Sequence, residues 1–162
     1  MRESSSFQTT IGPITLISED GCLTALKFGA PQETSPTSPS QLLQQAQQQV
    51  QEYLHGSRTQ FDLPLGWQQI NGFQKKILQL ACEIPFGEVR TYGQIAAAIA
   101  KPKASRAVGA ALARNPLPIL IPCHRVVAAS GHLTGYLGEK GIHTKKFLLE
   151  LEGHCIVGEK LA

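Results

Sequence analysis

The sequence predicts an α+β protein in two parts: a small sheet-and-helix domain over residues 1–66, then a mostly helical domain over residues 67–162 that carries a helix-turn-helix. Three observations predict it. β-prone runs gather before residue 30, apolar residues at helical spacing dominate after Gly66, and stretches rich in Pro, Ser and Thr punctuate the chain between elements. A chain of 162 residues with 42% hydrophobic and 17% charged side chains can bury a real core, and its composition excludes collagen, coiled coil and wholesale disorder. No apolar run approaches the roughly 20 residues of a membrane-spanning helix. The stretch Met1–Ser6 has no apolar run behind its charges, so the expectation is a cytoplasmic protein with neither secretory signal nor membrane segment.

Phe7–Phe28 reads as a hairpin, its strands Ile14–Ile17 and Leu23–Phe28 joined at Glu19-Asp20-Gly21. Pro31–Ser40 holds three prolines and reads as a loop. Gln41–Leu54 is an amphipathic helix despite its many glutamines, because Leu42, Leu43, Ala46, Val50, Tyr53 and Leu54 keep a regular stripe. Phe61–Leu65 reads as a short strand ending in a linker. Asn71 is placed to cap a helix running to about Ile84, with Phe73, Ile77, Leu78 and Ala81 on one face. Thr91 caps a second helix to Ala100, stopped by Lys101-Pro102, and Ser105–Arg114 is a third, stopped by Asn115-Pro116. Two short helices so close together make a helix-turn-helix candidate. Pro118–Pro122 reads as a buried extended segment, and a last helix spans about Thr144 to Leu151 with Gly153 as its stop.

Charge is unevenly shared. Residues 1–65 hold three Lys/Arg against six Asp/Glu, whereas residues 66–162 hold 12 Lys/Arg against six Glu. A basic half beside an acidic one suits contact with a polyanion, and it equally suits charges scattered over solvated faces. Cys22, Cys82, Cys123 and Cys155 form no C-x-x-C pair, so no zinc finger, redox motif or other metal site is indicated and reduced thiols are the default.

Two segments could carry chemistry. In Cys123-His124-Arg125 an imidazole neighbours a thiol whose reactive form is the thiolate, and Pro116, Pro118 and Pro122 stiffen the approach. The competing reading is an inert buried cysteine with a surface histidine beside it. The helix Ser105–Ala113 offers little bulk beyond Arg106, Val108 and Leu112. Such a helix either lies close against a nucleic acid with Arg106 reaching into the base stack, or packs in a core with Arg106 solvated.

Together these segments resemble a known family. The run Asn115–Val127, centred on Pro122-Cys123-His124-Arg125-Val126, is similar to the active-site signature of the O6-alkylguanine-DNA alkyltransferases. Phe73-Gln74, Ile84–Val89, Thr91–Ala96, Ala104–Gly109, Thr134-Gly135-Tyr136 and Leu148–Gly153 match that family in order and spacing. The resemblance implies a ribonuclease H-like amino-terminal domain and irreversible, single-turnover DNA repair without a cofactor or metal. It casts Cys123 as the acceptor of an alkyl group from guanine O6, with O4-alkylthymine as a further substrate to consider. His124 is cast as the base acting through water, Glu152 as the group orienting it, and Asn115 as the amide steadying the turn. Tyr92, Val126 and Tyr136 are implied to line the guanine pocket. Tyr92, Ala104, Ser105, Arg106 and Gly109 are implied to meet double-stranded DNA from the minor groove, with Arg106 filling the stack vacated by a flipped guanine. The implied solution state is a monomer.

The chain departs from the family pattern in three places. Leu78 stands near the usual tryptophan, Ile70-Asn71-Gly72 replaces a Gly-Thr pair, and the loop 137–141 is about two residues longer. Other classes stay in view. A non-enzymatic damage-flagging relative would lack the cysteine. A helix-turn-helix regulator with a sensor cysteine would bind DNA by sequence. A cysteine hydrolase would turn over an ester.

Overall fold

The computed structural model describes residues 1–29, 38–134 and 141–162. Most of the loop expected at Pro31–Ser40, along with Tyr136 and nearly all of the loop 137–141, lies outside the described residues. The chain forms two compact units, Met1–Ile70 and Asn71–Ala162; the boundary expected after residue 66 falls four residues earlier.

The first unit is a three-stranded antiparallel meander, β1 (Arg2–Thr9), β2 (Gly12–Glu19) and β3 (Cys22–Phe28), with one helix, α1 (Gln41–Leu54). The expected hairpin is β2–β3, joined where Asp20 (φ 50°) and Gly21 (φ 78°) both take positive φ, the requirement of a tight two-residue hairpin turn. The meander adds β1, a strand the sequence did not signal. Its Ser4-Ser5-Ser6 core has no apolar alternation, yet as an edge strand it is held by its backbone ladder to β2, with only Phe7 buried. β2 is central and its residues Ile14–Ser18 are buried on both faces. Helix α1 packs on β1 and β2, with Ser40 accepting from the Leu43 N–H at its start and Leu43, Ala46, Val50, Tyr53 and Leu54 inward. The strand expected at Phe61–Leu65 does not form. Pro64 has no N–H to give a ladder, and only Leu65 makes a bridge, to Leu23.

The second unit packs α2 (Gly72–Cys82), α3 (Tyr92–Ala98) and α4 (Ser105–Ala113) against one another. Asn71 caps α2 by accepting from the Gln74 N–H at 3.1 Å, and Thr91 and Gln94 cap α3 reciprocally. The Gln74 amide donates to the carbonyls of Ala111 (3.3 Å) and Arg114 (2.9 Å), so α2 closes the carboxyl end of α4. Helices α3 and α4 form the expected helix-turn-helix. Two-residue strands β4 (Arg90–Thr91) and β5 (Val126–Val127) pair in parallel, and α5 (Gly141–Leu151) begins three residues before the predicted start. The chain closes with a small hairpin, β6 (Ile156–Val157) and β7 (Lys160–Leu161), which the sequence did not signal. No helix among the described residues is long and apolar enough to cross a membrane.

Candidate active site

The site begins with a turn. Residues Pro118–Pro122 are buried as predicted but are not extended: Ile119 sits at φ 74° and the Ile121 N–H donates back to the Leu117 carbonyl at 2.8 Å. Asn115 makes this turn. Its buried amide donates to the Ile121 carbonyl at 3.0 Å, and its side-chain oxygen accepts from the Leu117 N–H at 2.9 Å. An apolar run between prolines reads as a strand because the bonds that fold it come from a side chain outside the run. The chain leaves the turn as a single 3-10 turn, Cys123–Arg125, packed against α2 and α5.

Cys123 is 5% exposed. Burial pushes its thiol up to about 11, against the pull of a hydrogen bond from Asn115 and the charge of Lys145. His124 is not on the surface, as the inert reading required; it is completely buried. Its Nε2 lies 2.8 Å from Glu152 Oε2, while Arg125 reaches the same carboxylate through Nε (2.8 Å to Oε1) and Nη2 (3.0 Å to Oε2). A third guanidinium bond runs to the Ile84 carbonyl at 2.7 Å. The fork of Arg125 compensates the desolvation that a buried carboxylate would otherwise suffer. Burial holds His124 below its ordinary value, with Glu152 opposing, so the ring is neutral at pH 7.

Lys145 organises the other side. It is 1% exposed, and its three ammonium protons have three acceptors: the Val126 carbonyl (2.7 Å), the Thr134 carbonyl (3.1 Å) and the Tyr92 hydroxyl (3.5 Å). Desolvation lowers it to about 8, with the nearby Cys123 opposing. The Tyr92 hydroxyl also lies 3.0 Å from Thr134 Oγ1. Cys123, His124, Glu152 and Asn115 are thus drawn together around one turn, and Tyr92 and Val126 are joined to it through Lys145.

Arg125 and Thr134 stand in the family motifs without a role of their own, and the sequence reading does not single out Lys145. Lys145 had a signal, since a lysine three and four residues before Leu148 and Leu149 stands on the buried stripe of α5. Of the expected DNA-facing residues, Arg106 is exposed and Ala104, Ser105 and Gly109 are half-buried. The alanines of α4 divide: Ala111 is buried, while Ala107, Ala110 and Ala113 face outward beside Arg106. Gly109 abuts Tyr92, where an added Cβ would lie 3.8 Å from the ring.

A cysteine–histidine–glutamate site beside a small-faced helix-turn-helix defines a class of proteins that present thiol chemistry next to a nucleic-acid-binding element. Comparison makes the class specific. Residues 72–154 match the model of the 6-O-methylguanine DNA methyltransferase DNA-binding domain, and residues 4–66 that of the ribonuclease-like domain of the same family. The chain belongs to the 6-O-methylguanine DNA methyltransferase family. It is 43% identical over 154 residues to the methylated-DNA–protein-cysteine methyltransferase of Methanosarcina acetivorans, covering 92% of this chain and 97% of that one. It is 52% identical over 110 residues to the constitutive enzyme of Bacillus subtilis, covering 68% and 66%. Among solved structures it resembles Mycobacterium tuberculosis OGT in complex with DNA, at a TM-score of 0.79 and 39% identity over 93% of this chain and 92% of that one.

Proposed function

We propose that this protein repairs DNA by moving an alkyl group from O6-alkylguanine directly to Cys123, in one irreversible turnover per molecule. The observation that carries the reading is the arrangement of Cys123, His124 and Glu152, a buried thiol beside a neutral imidazole already oriented by a carboxylate. Attack on an sp³ carbon is an in-line displacement. The sulfur–carbon bond forms as the carbon–O6 bond breaks, and the thiol proton leaves through a water to His124. With Nε2 committed to Glu152, the proton-exchanging nitrogen is Nδ1. Tyr92, its hydroxyl backed by the Lys145 ammonium, supplies a proton to the departing guanine ring, and the Lys145 charge favours the thiolate as it develops. The thioether product is a poor leaving group and no second nucleophile is assigned, so the cysteine is spent.

The target carbon lies inside the duplex and must be extruded, at a few kcal/mol. Arg106, exposed on α4, fills the vacated stack; the outward alanines and Gly109 let the helix lie close in the minor groove. No side chain caps the amino end of α4. The Ala104 N–H is given to the Lys101 carbonyl at 2.9 Å, so Ala104 meets the backbone by close approach and the Ser105 N–H is the group offered to phosphate. Val126 and Tyr136 line the base pocket, and the protein works as a cytoplasmic monomer. The domain of residues 67–162 carries this chemistry and that of residues 1–66 serves as scaffold. The test is intact and peptide mass after incubation with a duplex holding one O6-methylguanine. The expected result is a single added methyl on the Cys123 peptide, absent in Cys123→Ser; several turnovers per protein would contradict it.

A further inference from the structure

The Tyr92–Thr134–Lys145 cluster is supported from behind by the last residues of the chain. The Leu161 N–H donates to the Gly131 carbonyl at 2.9 Å, and the Leu133 N–H donates to the Glu159 carbonyl at 2.8 Å. His132 also bridges Lys160 in antiparallel register. Ile156 and Leu161 pack against a small core of Val127, Leu133 and Leu149. Gly131 (φ 86°) takes the left-handed conformation that the seat requires, with Leu161 at ordinary contact distance from where a Cβ would stand (3.6 Å). Within the segment 128–134, the remaining backbone bonds among the described residues are those of its own turn, Gly131 N to Ala128 O and Ala128 N to His132 O. The next residue after the hairpin-bonded Leu133 is Thr134, whose carbonyl and hydroxyl engage Lys145 and Tyr92.

Resting on the functional reading above, we propose that the β6–β7 hairpin is a positioning element for alkyl transfer: by fixing residues 131–133 it sets Thr134, and through Thr134 the Tyr92 hydroxyl. Proton donation to a leaving base depends on placement, and a misplacement of about 1 Å costs on the order of 100-fold in rate. The hairpin lies beyond residue 154, where the match to the DNA-binding domain of the family ends.

The test compares the full chain with one ending at Cys155, in single-turnover transfer from an O6-methylguanine duplex. The truncated chain should keep its far-UV circular dichroism and, within about twofold, its affinity for unmodified duplex and the iodoacetamide reactivity of Cys123. Its limiting transfer rate should fall between about 10- and 100-fold. In a Tyr92→Phe background the same truncation should cost under about threefold, because the hydroxyl it positions is gone. If the truncated chain fails to fold, Leu161→Pro, which deletes the donor to Gly131 and keeps the tail, is measured in the same two backgrounds with the same expected pattern at smaller amplitude. An unchanged limiting rate, or an equal loss with and without the Tyr92 hydroxyl, overturns the hairpin's role. A full-length chain that gains no methyl overturns the functional reading, and the hairpin's role with it.

Discussion

At the scale of single residues, the site contains two basic groups whose titrations burial pushes down. His124 titrates below its ordinary value, so the base form is present at pH 7 and is lost only as pH falls through that lowered value. Lys145 titrates at about 8, so its charge and its third proton are lost as pH rises past that point. The thiol, up at about 11, stays neutral across this window and adds no limb of its own. The transfer rate should therefore be bell-shaped in pH, with an acid limb below about 6.5, the unperturbed histidine value, and an alkaline limb near pH 8. Lys145→Arg should abolish the alkaline limb while leaving the acid one. A rate that keeps rising tenfold per pH unit through pH 9 would mean that thiol ionisation, not His124, governs attack.

At the scale of elements, caps and periodicity made most of the fold legible. Asn71 and Thr91 announce α2 and α3, and the apolar stripe of Gln41–Leu54 has the observed bounds of α1. What stayed hidden is held by bonds from elsewhere: β1 by the ladder to β2, the turn before Cys123 by the Asn115 amide, and β6–β7 by Gly131 and Leu133. The site divided in the same way. Cys123, His124, Glu152 and Tyr92 take their roles from recognisable motifs, whereas Thr134, though in a motif, and Lys145, though on the apolar stripe of α5, take theirs from neighbours distant in sequence. Helix α4 offers a sharp test of what its small residues are for. The space beside Gly109 accepts a methyl at ordinary contact distance, so Gly109→Ala should leave the fold intact or raise its stability by up to about 1 kcal/mol, read by thermal unfolding. The same change should weaken duplex binding several-fold if that face lies against DNA. Arg106→Ala should slow repair in a duplex by at least about tenfold, ~1.4 kcal/mol, yet leave reaction with free O6-benzylguanine unchanged, since a free base needs no extrusion. Equal losses on both substrates would refute a flipping role.

At the scale of the whole molecule, the asymmetry of charge becomes a prediction about binding. With 12 Lys/Arg against six Glu after residue 65, and few side chains on α4 able to read base edges, phosphate contacts should dominate affinity. The affinity for unmodified duplex should fall with salt at a log–log slope of about −0.9 per phosphate neutralised, and unrelated sequences should agree within about tenfold. A fluorescence-anisotropy salt titration on several duplexes reads both quantities. A flat response, or a strong preference among sequences, would favour a regulator over a repair protein.

The depth of the thiol has another side. A reagent consumed by its own reaction must also keep while it waits. Burial, which pushes its titration up to about 11, keeps Cys123 protonated at pH 7, and the 5% of its surface left open gives oxidants and small electrophiles little to collide with. Cys155, exposed in the same unit, has no such shelter. In a timed iodoacetamide digest Cys155 should be modified well before Cys123, and the reverse order would show the acceptor to be unguarded. Burial thus gives the single-use sulfur a long shelf life, so that what ends its service is an alkylated base rather than the chemistry of the surrounding solution.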